Sequence, residues 1–313
     1  MINHHTNDGV CVQTPDSFPG LFFTQALLLI CTSIIIISCA TTPVQIQPEQ
    51  YFSIDTIIDS NTQWNCIDTG IDRMDYTNND LPLRWHALRI DLSTPGITIH
   101  SWPGTALTGK SKSPISVAKE TNIVLNTMQF YKERHGFKTH TIPLGVYIHK
   151  KEQLTRKIKS LCALTFTKQS DNTYTATIYD SQADINKDNT PDFAFGGYWT
   201  IMRDGVIHTF KAYRDTRLAI GVSENHKILY ILLVEGNKKS TSQGLTFMEC
   251  AQLLQRLGAY TAMQFDGGTS AQVYVQQEAL HASKSSIAVP VILSITLPHA
   301  SDNLIKGSEK IDE

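Results

Sequence analysis

Helical periodicity occurs only once at length in this chain; elsewhere apolar residues come in short runs bounded by turn residues, which confines the chain to a fold built on strands. The helix begins at Thr246, where Thr246 and Glu249 have capping-box spacing, and stops at Gly258. Phe247, Cys250, Leu254 and Leu257 recur at spacings of three, four and three, one stripe to lay on a sheet. Strands are predicted at residues 86–92, 97–102, 123–130, 144–149, 163–167, 174–179, 217–222, 228–234 and 261–265. Thr94, Pro95 and Gly96 turn the first into the second, which predicts a hairpin. Ser113 as N-cap and Pro114 at the first helical position predict a short helix over 113–120. The expected class is α+β: a mixed, largely antiparallel β-sheet core with a few packed helices, forming a single catalytic domain.

The N-terminal region reads differently. Residues 21–37 form an almost unbroken apolar run without charge, followed by Ser38, Cys39 and Ala40. Its 17 residues stand at the lower edge of a membrane-spanning helix, and small residues follow instead of a basic flank, so cleavage is expected over retention as an anchor. Ile36, Ile37, Ser38 and Cys39 resemble a bacterial lipobox, with Cys39 the lipidated residue, although no Lys or Arg precedes the run. The expected organisation is a lipoprotein-type signal peptide over 1–38, a polar tether over 39–63, the catalytic domain over 64–298 and a polar tail over 299–313. Such a protein is exported and lipid-anchored to a bacterial membrane, the outer membrane being the expected one, facing periplasm or surface.

Composition narrows the partners. With 27 Lys plus Arg against 29 Asp plus Glu, the chain has no basic field to gather nucleic acid. Beyond Cys39 the remaining cysteines are Cys66, Cys162 and Cys250, an odd set with no CxxC spacing for metal or redox work.

The residues that carry chemistry gather late in the chain. Asp266 ends a strand and enters a turn that Gly267 and Gly268 let bend tightly, with Thr269 and Ser270 behind it. Taken alone this is an ordinary Asp-Gly turn. Ser242 and Thr246 place hydroxyls and free amides at a helix N-terminus, where phosphate binds, though plain capping also explains them and fully explains Glu249. Glu235 closes an apolar strand before Gly236, and Arg217 opens one of small and apolar residues. A guanidinium there can grip phosphate through two parallel hydrogen bonds or form a structural salt bridge. Asn126 is the one conspicuous polar residue in its strand.

The order and spacing of Ile115 to Asn126, Arg217 to Gly221, Val234 to Gly236, Ser242 to Thr246 and Leu257 to Ser270 resemble the phosphodiester glycosidase family, over roughly residues 64–298. The resemblance implies hydrolysis of a sugar joined through its anomeric carbon to a phosphodiester. It implies catalytic roles for Asp266, Glu235, Arg217 and Asn126, and binding of substrate phosphate by Thr246, Gly267, Gly268, Ser270 and Ser242. Glu235 stands where the family usually has Asp, and Thr269 where many members have a third Gly. The expected partner is a carbohydrate phosphodiester. The alternative is a lipoprotein that keeps the fold as a non-catalytic glycan-binding module.

No cofactor is required by this chemistry, and calcium is the one candidate ion. Asp184, Asn186, Asp188 and Asp192 place oxygens at positions 1, 3, 5 and 9 of a loop, as in calcium loops, but Gly at position 6 and Glu at position 12 are missing.

Overall fold

The computed structural model of the chain describes residues 51–298 apart from positions 60, 105–106, 108, 120–121, 187, 239 and 281–286. The apolar run 21–37, Cys39 and the tail 299–313 lie outside the described residues. Among the described residues no helix is long and apolar enough to cross a membrane.

The chain runs through α1 (Ile54–Ile57), β1 (Asn65–Asp68), β2 (Ile71–Asn78), β3 (Leu83–Asp91), β4 (Thr98–Trp102) and β5 (Asn122–Asn126). A hairpin follows, β6 (Phe130–His135) and β7 (Lys138–Pro143), then β8 (Tyr147–His149), β9 (Glu152–Gln153), β10 (Ala163–Lys168) and β11 (Tyr174–Tyr179). Next come β12 (Phe193–Gly196), β13 (Thr200–Arg203), β14 (Val206–Ile207), β15 (Arg217–Val222) and β16 (Ile228–Val234). The last elements are α2 (Phe247–Leu257), β17 (Thr261–Gln264), β18 (Val273–Val275), β19 (Glu278–Ala279) and β20 (Ile292–Thr296).

An eight-stranded sheet in the order β1-β2-β3-β16-β15-β17-β13-β14 is the middle layer. Alternation along its strands decides what covers each face. Leu88, Ile90, Leu218, Ile220, Leu229, Ile231, Leu233 and Met263 point one way, into a core shared with two five-stranded sheets, β19-β18-β5-β20-β4 and β11-β10-β12-β8-β9. Trp85, Ala87, Ala219, Leu232, Val234 and Ala262 point the other way, against α2 and α1. β16 is apolar at every position because both its faces are covered. The α2 stripe behaves as the spacing predicts: Phe247, Cys250, Leu254 and Leu257 are buried on the sheet, and Gly258 closes the helix in the left-handed region.

Four expectations change. The fold is richer in β-structure than expected, with two α-helices among the described residues and every strand pairing there antiparallel. The helix over 113–120 shrinks to a 3-10 turn at Pro114–Ser116, because the Asn122 side chain takes the Lys119 amide and draws the chain toward β5. The hairpin is absent: β3 pairs with β2 and β16, while β4 pairs with β20 in another sheet. Leu88, Ile90, Ile97 and Ile99 all feed one core, and placing the two strands in different sheets buries them from both sides. Lastly, the folded part begins before residue 64. Ile57 is fully buried, Trp85 Nε1 donates to its carbonyl at 2.7 Å, and Tyr76 Oη donates to the Thr56 carbonyl at 2.8 Å, so residues 51–59 belong to the core and not to a tether.

Candidate active site

Three strand ends meet on one side of the eight-stranded sheet. Arg217 at the start of β15 pairs with Val234 at the end of β16, and Ala219 pairs with Gln264 at the end of β17. Glu235 and Asp266, each just past its strand, therefore flank β15, with backbones two strand spacings apart, roughly 10 Å.

Asp266 sits where the chain leaves this sheet for a neighbouring one. The Phe265 amide still donates to Leu218 in β15 at 2.9 Å, whereas the Asp266 amide donates to Thr127, just past β5, at 2.8 Å. Asn126 locks the crossing: its Nδ2 donates to the Asp266 carbonyl and its Oδ1 accepts the Gln272 amide, both at 2.8 Å. The asparagine that stood out in an apolar strand is thus a clasp between two sheets. The glycines are steric requirements: Gly268 has φ +54°, and a β-carbon on Gly267 would lie 2.8 Å from the Thr216 carbonyl oxygen. Burial pushes the Asp266 carboxyl up to about 6, opposed by a hydrogen bond from the Ser270 side chain.

Glu235 is nearly inaccessible, 3% exposed. Its amide donates to the Arg84 carbonyl at 3.0 Å, and Ser242 Oγ donates to its carbonyl at 2.5 Å while accepting the Arg84 amide at 3.1 Å. Ser242 therefore holds the chain that carries Glu235. His86 Nε2 lies 3.6 Å from Glu235 Oε1, an ion-pair distance.

Arg217 belongs to the opposite face of the sheet. Its position alternates with Leu218, so it shares the α2 side with Ala219, whereas Glu235 follows Leu233 onto the inter-sheet side. Nε donates to the Leu245 carbonyl at 3.0 Å and Nη2 to the Tyr213 carbonyl at 2.8 Å. The guanidinium carbon lies 4.1 Å from the Phe247 ring centre and 4.6 Å from that of Tyr213. Two of the amides expected to bind phosphate are also engaged within the chain. The Thr246 amide donates to Glu249 Oε2 at 2.8 Å in a complete capping box, and the Gly268 amide donates to the Thr216 carbonyl at 2.9 Å. Glu249 is fully buried and also accepts from the Phe52 amide and Arg214 Nη2, both at 2.7 Å.

Two groups that the sequence reading passed over stand at this site. Asp215 accepts the Thr216 amide at 2.7 Å and the Asn237 side chain through the same oxygen. Its place two residues before Arg217 is the signal that could have found it. His86 has no comparable local signal, since Asp75 reaches it only through the β2–β3 pairing and Glu235 comes from a distant strand end.

Asp184, Asn186, Asp188 and Asp192, the candidate calcium ligands, lie in the loop between β11 and β12. Among the described residues no three His, Cys, Asp or Glu side chains converge on a metal-sized point. In the loop, Asp192 Oδ2 accepts the Lys168 amide at 2.7 Å and Asn186 Oδ1 accepts the Asp188 amide at 2.9 Å. Asp192 and Asn186 thus each spend a side-chain oxygen on a main-chain amide of this chain.

Known proteins resemble this chain as a family and in fold. The family model described as phosphodiester glycosidase matches residues 119–296. Among solved structures, the catalytic domain of zebrafish N-acetylglucosamine-1-phosphodiester alpha-N-acetylglucosaminidase, auto-inhibited by its pro-peptide, superposes with TM-score 0.52 at 17% identity. The match covers 76% of this chain and 85% of that one. A hypothetical protein from Synechocystis superposes with TM-score 0.56 at 14% identity, covering 76% of this chain and 64% of its own. At these identities the structural likeness establishes the fold. No curated protein matches the sequence.

Proposed function

The chain belongs to the phosphodiester glycosidase family, and from that premise we propose that it is an exported hydrolase that releases the sugar from a glycosyl-1-phosphodiester. The observation that carries the reading is Asp266, a carboxyl shifted to about 6 on a turn clasped between two sheets. An acid–base group works best when its pKa lies near the working pH, and a group held on rigid elements keeps its aim. A phosphodiester is already a good leaving group, so the site needs less acid assistance than an ordinary glycosidase needs.

Asp266 or Glu235 acts as nucleophile or as base for water, while one oxygen of the third carboxylate, Asp215, is spent on the Thr216 amide and the Asn237 side chain. Asn126 and Ser270 position Asp266, and Ser242 positions Glu235. Arg217 supplies positive charge from beneath α2, with Nη1 the nitrogen not spent on the Leu245 and Tyr213 carbonyls. Gly267 and Gly268 let the Asp266 turn pack against the Thr216 main chain, and Thr246 caps the helix that covers Arg217. Lipidation at Cys39 would hold the domain at a membrane, and Cys39→Ala should release the protein from the membrane fraction.

The test is turnover of aryl and sugar 1-phosphodiesters by the purified protein, with hydrolysis in oxygen-18 water. Label in the released sugar supports cleavage at the anomeric carbon; label in the phosphate overturns it. Wild-type-like turnover by Asp266→Asn would sink the site assignment.

A further inference from the structure

Before the range that the family model matches, a row of ionisable groups leads from solvent to Glu235. β2, β3 and β16 are neighbours, with Asp75 opposite His86 and His86 opposite Leu233. Glu235, two residues beyond Leu233, falls on the His86 side. The His86 ring Nδ1 lies 2.5 Å from Asp75 Oδ1, and its Nε2 lies 3.6 Å from Glu235 Oε1. The side chains are 42%, 14% and 4% exposed in the order Asp75, His86, Glu235.

We propose that His86, as an imidazolium clamped between Asp75 and Glu235, is a positioning residue that orients the Glu235 carboxylate for hydrolysis and sets the alkaline limit of activity. The proposal rests on the hydrolase reading above.

A neutral imidazole has one N–H and one lone pair, so it can donate to only one of two carboxylates and turns its lone pair on the other. Only the doubly protonated ring turns an N–H on each, hydrogen-bonded to Asp75 and at ion-pair distance from Glu235. The charged groups facing it are Asp75 and Arg73 from β2, Arg84 two positions along the same face of β3, and Glu235 beyond β16. Arg73 shares Asp75 at 2.8 Å and reaches Glu278 at 3.6 Å, which fixes the outer end of the row. Burial by itself favours the neutral ring, but the hydrogen bond to Asp75 and the charges of both carboxylates outweigh it and hold the His86 pKa above 6.5. The same contact with His86, joined by Arg73, outweighs burial at Asp75 and holds its carboxyl below its ordinary value. The imidazolium is present below the raised pKa and lost above it, so the limb it governs lies on the alkaline side.

Two measurements on the full chain decide the matter. The first is the pH profile of kcat and KM on a phosphodiester substrate. His86→Gln should lower kcat roughly 10- to 100-fold, the size usual for residues that orient a reacting group from behind, with KM unchanged. Asp75→Asn, at a half-exposed position, should move the alkaline limb to lower pH. A limb that stays in place in both variants overturns the proposal. The second is the NMR titration of the His86 ring, which needs no turnover: it should fall in both Asp75→Asn and Glu235→Gln. A titration unmoved by Glu235→Gln overturns the clamp even in an active enzyme. A shift that appears as expected, in a protein that turns over no phosphodiester, overturns the hydrolase reading and the catalytic role, and leaves the coupling established.

Discussion

Desolvation at the turn after β17 makes the charge on Asp266 unfavourable to folding, and the sign follows from linkage. Its folded pKa, about 6, stands above the ordinary 3.8, so the folded state holds a proton that the unfolded chain gives up between those values. Stability from this group is full below pH 3.8, falls as pH rises and is lost above 6. Asp266→Asn should therefore melt a few degrees higher than the wild type at pH 8 and about equally at pH 3.5, while losing roughly 10²- to 10⁴-fold in turnover. Asn126→Ala should destabilise by about 2 kcal/mol in urea denaturation, since it strips two hydrogen bonds from buried main chain, and should lower kcat as the turn loosens. Asn126 was legible in the sequence as a polar residue in an apolar strand, and Asp266 as the head of a glycine turn. Their use was not: the partners of Asn126 are 140 and 146 residues further on.

Elements built from nearby residues followed their sequence signals. The strands Arg217–Val222 and Ile228–Val234 appear with their predicted ends, and α2 starts and stops at its predicted caps, because caps and short apolar runs act within a few residues. The capping Glu249 does more than cap, being fully buried against Arg214 and the Phe52 amide. Glu249→Gln should cost about 3–5 kcal/mol in urea denaturation by breaking the buried ion pair with Arg214. The failed hairpin shows the limit. A turn at residues 94–96 says that the chain bends, and the facing layer that buries both strands says where each one goes.

At the scale of the molecule, β1 to β4 precede the matched family range yet supply three strands of the central sheet and one of its neighbour. Residues 51–59 close the α2 side through Ile57 and the Trp85 indole. A chain spanning 64–298 should thus unfold roughly 2–5 kcal/mol more easily than one spanning 51–298, as measured by urea denaturation, because it loses a buried isoleucine and leaves an indole N–H unpaired. The sequence by itself determined the strand-rich class, the long helix and its caps, the Asp266 turn and the family, all of them properties of short segments and their order. Only the tertiary structure decided that Arg217 and Glu235 look out from opposite faces of one sheet, and that Asp75, His86 and Glu235 form a row. Strand order is the physical reason. The sequence β2-β3-β16-β15-β17 brings together residues scattered from 75 to 266, and that order is chosen by how the layers bury apolar surface, which no local pattern records.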